Sequence, residues 1–343
     1  MELPKRPLGT SGMNITTIGF GTWALGGSGW FYNLGAQEDA DSIATLRHAL
    51  TQGINWIDTA AVYGLGHSEE VVGRFLRDIP RSERPFLFTK VGMVWDENDR
   101  SREPSRNLKP ESIRRECEAS LRRLGVERID LYQCHWPDQT GTPVEDSWSA
   151  MLQLVKEGKI RAAGVSNFDV DLLQRCESIG HVQSLQPPFS ATNRAAAQNE
   201  IPWCVNHQTA VISYSPLQSG LLTEKFTAVS SLDENDWRRS APEFQEPKLS
   251  RNLALRDSLK IIAQRHATTV SAVAIAWVLA WPGMTGTMVG ARTPAQVDGW
   301  IQSAKLQLSK EDIAEITTAI ESTGAGTGPS RPATASGATG QRI

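Results

Sequence analysis

The sequence predicts an α/β protein closed into a (β/α)8 TIM barrel, with an N-terminal β-hairpin and extra helices. Short apolar runs alternate with segments of helical period about eight times over roughly 300 residues, and such a barrel needs ~250 residues plus insertions. Three runs end on an ionisable side chain: Asn55-Trp56-Ile57-Asp58, Phe86-Leu87-Phe88-Thr89-Lys90 and Asp130-Leu131-Tyr132-Gln133-Cys134-His135. Burying a strand that ends in a charge is costly unless the charge is paired or used, so three such endings point to strand termini gathered at one place. The rival architecture, an open doubly wound sheet, usually carries a glycine-rich phosphate loop after its first strand. Here Gly19-Phe20-Gly21 runs into Thr22-Trp23-Ala24, which misplaces the third glycine, and Gly324-Ala325-Gly326 precedes Thr, Gly and Pro rather than a helix.

Pro7-Leu8 and Asn14-Ile15, separated by Gly9-Thr10-Ser11-Gly12-Met13, read as the hairpin, and Thr17-Ile18-Gly19-Phe20 as the first buried strand. Ile43, Leu46, Ala49 and Leu50 share a helical face that Gly53 terminates before the strand to Asp58. A helix from Glu69 to Leu76 leads to the strand ending at Lys90. Pro110 suits a first helical position, Ile113, Cys117, Leu121 and Leu124 line one face, and Gly125 stops that helix before the run to His135. The helix of Trp148, Met151, Leu152 and Val155 stops at Gly158, and strand Ala162-Ala163-Gly164-Val165 follows. Then come a helix around Leu172, Leu173 and Cys176, a strand Gln183 to Gln186, a helix near Pro202 and a strand Ala210 to Tyr214. Helices Leu253 to Arg265 and Val270 to Leu279 precede a last strand Gly286 to Val289, and helix 294–304 closes the cycle. The barrel domain thus spans 1–320, and the Gly, Ala, Ser, Thr and Pro content of 321–343 reads as a flexible low-complexity tail.

With 40% hydrophobic and 21% charged residues, the 343-residue chain can bury a large core. A formal net charge of -3 and the lack of a Lys/Arg run leave no electrostatic footprint for nucleic acid or an anionic membrane, so a small molecule is the expected partner. Cys117, Cys134, Cys176 and Cys204 show neither a CxxC pair nor zinc-site spacing, and no signal peptide or bilayer-spanning run is visible. A cytoplasmic protein without a metal is the expectation. Oligomeric state has no visible signature.

Active-site groups of such barrels sit at the carboxyl ends of the strands. A lysine in an apolar barrel mouth needs an anionic partner, which Asp58 on the neighbouring strand can supply. Lys90 can then lie against the Tyr63 hydroxyl and lower its pKa from the usual value of about 10. His135 adds a positively polarised or hydrogen-bonding group beside the same oxygen. A tyrosine so placed can give a proton to a carbonyl oxygen or take one from an alcohol. Cys134, one residue away, alternates to the opposite face and reads as packing.

The segments Gly53 to Gly64, Thr89-Lys90, Leu131 to Asp138, Gly164 to Phe168, Gln186-Pro187-Pro188, Tyr214 to Leu217, Gly220-Leu221-Leu222 and Gly290-Ala291-Arg292 together resemble the aldo-keto reductase superfamily over about residues 5 to 320. The resemblance implies a barrel reductase that binds a nicotinamide cofactor without a Rossmann domain. It makes Tyr63 the general acid/base, Lys90 the group tuning it, Asp58 the holder of Lys90 and of the cofactor side, and His135 the group orienting the carbonyl. It also implies that Ser166, Asn167 and Gln186 bond the carboxamide and that Tyr214 stacks on the nicotinamide. Gly21, Thr22 and Trp23 would lie beside ribose and ring, while Ser215, Pro216, Leu217, Gln218, Ser219, Gly220 and Leu221 would wrap the pyrophosphate with Lys225 nearby.

For the adenosine end, Thr293 is a suitable helix cap and Pro294 a suitable first residue, so Gly290-Ala291-Arg292 leads into a helix amino terminus that favours anions. Arg292 suits a 2′-phosphate because its planar fork binds phosphate oxygens in pairs, which favours NADP over NAD. Gln296 is one turn on, near adenine, whereas Trp300 stands close to where many relatives carry asparagine. Trp30, Phe31, Tyr32, Trp95 and Trp136 follow strands at the active end and are the candidate substrate pocket, with Trp30, Tyr32, Trp95 and Trp136 as its walls. The long segment 222–250 reads as a lid over the cofactor, with Arg238 and Arg239 near its middle. The expected activity is NADPH-dependent reduction of aldehydes or ketones. Its alternatives are NAD(P)+-dependent oxidation of a sugar, polyol or other alcohol, and a cofactor-binding regulatory subunit like the potassium-channel β subunits of the superfamily.

Overall fold

The computed structural model describes residues 2–232 and 236–332. Strands β1 (Lys5–Pro7) and β2 (Asn14–Thr16) form the expected antiparallel hairpin, with Arg6 opposite Ile15. The first half of the barrel follows as β3 (Ile18–Gly21), helix α1 (Asp39–Thr51), β4 (Trp56–Asp58), α2 (His67–Arg77) and β5 (Phe86–Val91). A short antiparallel pair, β6 (Met93–Val94) and β7 (Ser105–Arg106), extends above β5 before α3 (Pro110–Leu124) and β8 (Ile129–Cys134). The chain continues through α4 (Val144–Lys156), β9 (Ile160–Ser166), α5 (Val170–Ile179), β10 (Ser184–Gln186), α6 (Glu200–His207) and β11 (Ala210–Ser213). Helices α7 (Lys248–Arg265) and α8 (Val270–Ala280), strand β12 (Met284–Gly290), α9 (Pro294–Ile301) and α10 (Lys310–Thr323) complete it.

Eight parallel strands close in the order β10-β11-β12-β3-β4-β5-β8-β9, and the seam pairs β3 with β12, Gly21 facing Gly290. Two packed regions hold this shape. The barrel interior is filled by Trp56, Phe88, Leu131, Ile212 and Met288, with Leu8, Met13 and Ile15 of the hairpin region packed against them. Outside, the helices cover the strands in one continuous core that contains Cys134, which points away from the site as alternation requires. Gly19 is obligatory here, since a Cβ on it would lie 2.2 Å from the Trp56 indole.

Local signals explain the helix ends. Pro110 occupies the first turn of α3 and Gly125, at φ 65°, ends it in the left-handed conformation that glycine adopts at no steric cost. Asp169 caps α5 by accepting from the Leu172 N–H, and Ser309 and Asp312 form a reciprocal capping box on α10. Thr293 precedes α9 without a side-chain cap bond; instead Gln296 Oε1 accepts from the Arg292 N–H at 2.6 Å.

The expectation of a loose tail from Glu321 is corrected as far as residue 332. Helix α10 runs to Thr323, Ala325 is buried, and Thr327 pairs with Asn193. The buried Arg194 holds this segment by donating to the carbonyls of Ala325, Gly328 and Pro329, and to its own Ala191. Backbone carbonyls inside a fold must find donors whatever the side-chain composition, which is why a small-residue segment docks. Residues 333–343, the rest of that expected tail, lie outside the described residues.

Candidate active site

Asp58 ends β4 and Lys90 lies near the end of β5, one strand over, and both side chains are buried. Lys90 Nζ pairs with Asp58 Oδ1 and donates to the Thr59 carbonyl at 3.0 Å and to the Tyr63 hydroxyl at 3.4 Å. The second oxygen, Asp58 Oδ2, accepts from Gln186 Nε2 at 2.9 Å and Gln133 Nε2 at 3.2 Å. A buried ion pair survives only when its remaining hydrogen-bonding valences are met, and here they are met from β8 and β10. Tyr63 is carried by the turn after β4, held close to the turn after β3: a Cβ on Gly64 would meet the Gly26 carbonyl at 2.2 Å. The His135 ring stands edge-on to Tyr63, centroids 5.7 Å apart.

Electrostatics sharpen these roles. Burial alone would lower the Lys90 pKa, but Asp58 and Tyr63 outweigh it and leave the ammonium above its ordinary value. For Tyr63 the expectation of a lowered pKa is corrected: burial pushes the phenol up and outweighs the opposing charge of Lys90. Burial, Lys90 and Arg106 together hold His135 well below the usual histidine range, which favours the neutral ring.

An open cavity of about 820 Å³ spreads from Tyr63 and His135 over the carboxyl ends of the strands. Gly21, Thr22, Trp23, Asp58, Ser166, Asn167, Gln186 and Tyr214 line its middle, and Ser215, Pro216, Leu217, Ser219, Gly220, Lys225, Gly290, Ala291, Arg292 and Gln296 its far arm. Gln218 and Leu221 stand back from it: the Gln218 side chain accepts from Ser190 Oγ, and Leu221 packs with Phe226 and Phe244. Neighbouring side chains lock one another. Asn167, at φ 61°, donates to the His135 carbonyl at 2.9 Å and accepts from the Tyr214 hydroxyl at 2.9 Å, while Ser166 Oγ donates to the Gln186 carbonyl at 2.8 Å.

The far arm has an unusual backbone. Ser215, Gln218 and Ser219 all take positive φ (56°, 46° and 53°), and the N–H groups of Ser215 and Leu217 find no acceptor among the described residues. The two free N–H groups flank Pro216, while those of Gln218 and Gly220 are bonded to the Ser215 and Leu217 carbonyls at 3.0 and 3.1 Å. Arg292 donates to the carbonyls of Leu34 and Ala36 and to Gln37 Oε1 at 2.8 Å, and its own carbonyl accepts from Gln37 Nε2 at 3.1 Å. Trp300 borders the same arm and is buried. Within the expected lid, Trp237 lies 6.0 Å from Trp23, Arg238 pairs with Asp236 and reaches the Ser219 carbonyl, and Arg239 bonds the carbonyls of Val229 and Leu232. Arg238 is half-buried by these contacts, whereas Arg239 is exposed; residues 233–235 of that segment lie outside the described residues.

Of the expected pocket aromatics, Trp30, Tyr32 and Trp136 line the cavity. Trp95 packs behind them with Met93 and Val62, and Phe31 is 47% exposed. Two residues at the site escaped sequence reading. Gln133 shares its strand face with His135, a signal that alternation offered. Arg106, on a two-residue strand without periodic pattern, lines the cavity and stacks on Trp136, its guanidinium carbon 4.2 Å from the ring centroid.

Moving a proton at one oxygen atom is the chemistry this arrangement can do, which sets the molecule among barrel enzymes of carbonyls and alcohols. Comparison with known proteins gives the family: the Aldo/keto reductase family model matches residues 17–321, and the chain belongs to that family. It is 35% identical over 314 residues to the aldo-keto reductase YhdN of Bacillus subtilis, covering 91% of this chain and 92% of that one. An NADH-specific methylglyoxal reductase of Escherichia coli is 33% identical over 331 residues, 93% of this chain and 100% of the relative. Among solved structures, a glycerol dehydrogenase from Gluconobacter oxydans superposes with a TM-score of 0.83 at 34% identity, over 94% of this chain and 95% of that one. The chain is an oxidoreductase acting on carbonyl or alcohol groups, in a family that uses nicotinamide cofactors. No helix among the described residues is long and apolar enough to cross a membrane.

Proposed function

We propose that the protein reduces aldehydes or ketones with NADPH, Tyr63 giving the proton. The observation that carries this is the buried Lys90–Asp58 pair set 3.4 Å from the Tyr63 hydroxyl, with the neutral His135 beside the same ring. A bound nicotinamide supplies hydride to the carbonyl carbon. The Tyr63 hydroxyl then donates to the carbonyl oxygen, His135 orients that oxygen through a ring N–H, and Lys90 stabilises the phenolate that results. A phenol whose pKa is raised by burial is held in the protonated form that reduction requires. Oxidation of an alcohol, the activity named for the Gluconobacter relative, is the second reading and needs the same tyrosine deprotonated.

The residues present fit such a cofactor. Gln186 Oε1, unclaimed among the described residues, suits a carboxamide donor, and Tyr214, fixed by Asn167, offers a ring face. The free amides of Ser215 and Leu217 suit a pyrophosphate, with Lys225 at the rim. Arg292 supports the preference for NADP, and the NADH-specific relative makes the comparison of both cofactors a direct test. Contacts of Trp237 and Arg238 with Trp23 and Ser219 support a closing role for segment 222–250. Four buried, unpaired thiols fit a reducing compartment and hence a cytoplasmic location.

Tyr63→Phe removes only the transferable proton. Turnover of any accepted carbonyl should fall by about 10²- to 10⁴-fold while NADPH binding, read by fluorescence titration, persists. Retained turnover would refute the proton role.

A further inference from the structure

Arg106 is half-buried and presents a cation with no protein partner among the described residues to the substrate half of the cavity. Its backbone is fixed: Arg106 pairs with Met93 across β6 and β7, and its carbonyl accepts from the Gln139 N–H at 3.1 Å. Its guanidinium lies flat on Trp136, the residue after His135, and forms neither an ion pair nor a hydrogen bond among the described residues. Stacking of this kind leaves the planar N–H fork free at its edge. Glu103, which like Arg106 acts on Tyr32, accepts a hydrogen bond from the Tyr32 hydroxyl. The charge of Arg106 is felt by His135, Tyr214 and Tyr32, which line the same cavity.

The cofactor's phosphates are not the natural partner for this cation. Arg106 and Trp136 stand over β5 and β8, whereas the free amides of Ser215 and Leu217 and Arg292 follow β11 and β12, on the opposite side of the closed barrel. The other charges bordering the cavity at the aromatic end are already answered, Asp58 by Lys90. A half-buried fork with no protein partner favours a carboxylate that enters with the substrate, because two parallel charge-assisted bonds fit that group's geometry.

We propose that Arg106 is a specificity-determining residue that selects aldehydes or ketones bearing a carboxylate a few bonds from the carbonyl group. This rests on the carbonyl-reductase reading and adds the substrate's second anchor: the carbonyl oxygen at Tyr63 and His135, the carboxylate at Arg106, and the connecting atoms along the face of Trp136.

The test compares 4-oxobutanoate with its neutral methyl ester, using the full-length protein and NADPH. The wild type should favour the carboxylate in kcat/KM, and the carboxylate-over-ester ratio should fall by about 10- to 100-fold in Arg106→Met, mostly through KM. Arg106→Lys, which keeps the charge without the fork, should recover part of the ratio. A thermal melt shows whether the variants are folded; should Arg106→Met fail to fold, the wild-type ratio decides alone, and its decline with rising ionic strength supports the anchor. Turnover of both compounds with no carboxylate preference, or a ratio unmoved by Arg106→Met, overturns the anion site and leaves the reductase reading standing. Turnover of neither compound, with saturable binding of 4-oxobutanoate that Arg106→Met abolishes, supports the anion site and removes the reductase reading. Neither turnover nor binding removes both.

Discussion

His135 lies near two cations, Lys90 and Arg106, and is largely surrounded by protein, and all three influences oppose its protonation. Carbonyl reduction should therefore show no acid limb near the ordinary histidine value of about 6.5, and should decline only at alkaline pH as Tyr63 loses its proton; kcat/KM measured from pH 5 to 10 checks both. Stability carries the same signature with a definite sign. The unfolded chain binds a proton at His135 below about pH 6.5 and the native chain does not, so this residue's contribution favours the native state less as pH falls. Urea unfolding of the wild type and of His135→Gln, compared at pH 7.5 and 5.5, should show the smaller acid loss in the variant. Asp58, Lys90 and His135 were legible in the sequence because each ends an apolar run on a charge that burial would otherwise penalise. Gln133 and Arg106 were not: an amide inside a strand raises no such alarm, and an arginine on an irregular excursion gives no period to read. The direction of the Tyr63 shift also needed the structure, since it depends on how far burial outweighs one nearby cation.

At the scale of elements, the alternation of strand and helix was readable from apolar period and from Pro110, Gly125 and Gly158 at helix boundaries. Contacts between loops were less so, because they depend on chain segments far apart in sequence. Arg292, more than 250 residues from Gln37, latches the turn that carries Trp30 and Tyr32. On the proposed NADP reading, a 2′-phosphate competes with Leu34, Ala36 and Gln37 for the same guanidinium. Arg292→Ala should reduce the NADPH-over-NADH preference in Kd by about 10- to 100-fold. Gln37→Ala, which removes one competitor, should tighten NADPH binding about 2- to 10-fold, and equal changes for both cofactors would refute the 2′-phosphate assignment.

For the whole molecule, composition alone misled at one end. Small residues after Glu321 suggested looseness, but Arg194 directs its Nε and Nη2 donors to backbone carbonyls of Ala325, Gly328 and Pro329. Arg194→Met strands these carbonyls and should lower the free energy of unfolding by about 2–4 kcal/mol, measured by urea titration. The same positions impose an order on synthesis. The seam strand that begins at Ile18 waits for one that ends at Gly290, and Arg194 waits for acceptors up to Pro329. A growing polypeptide therefore cannot close its barrel until Gly290 has left the ribosome, which leaves β3 without one of its two partners for most of translation.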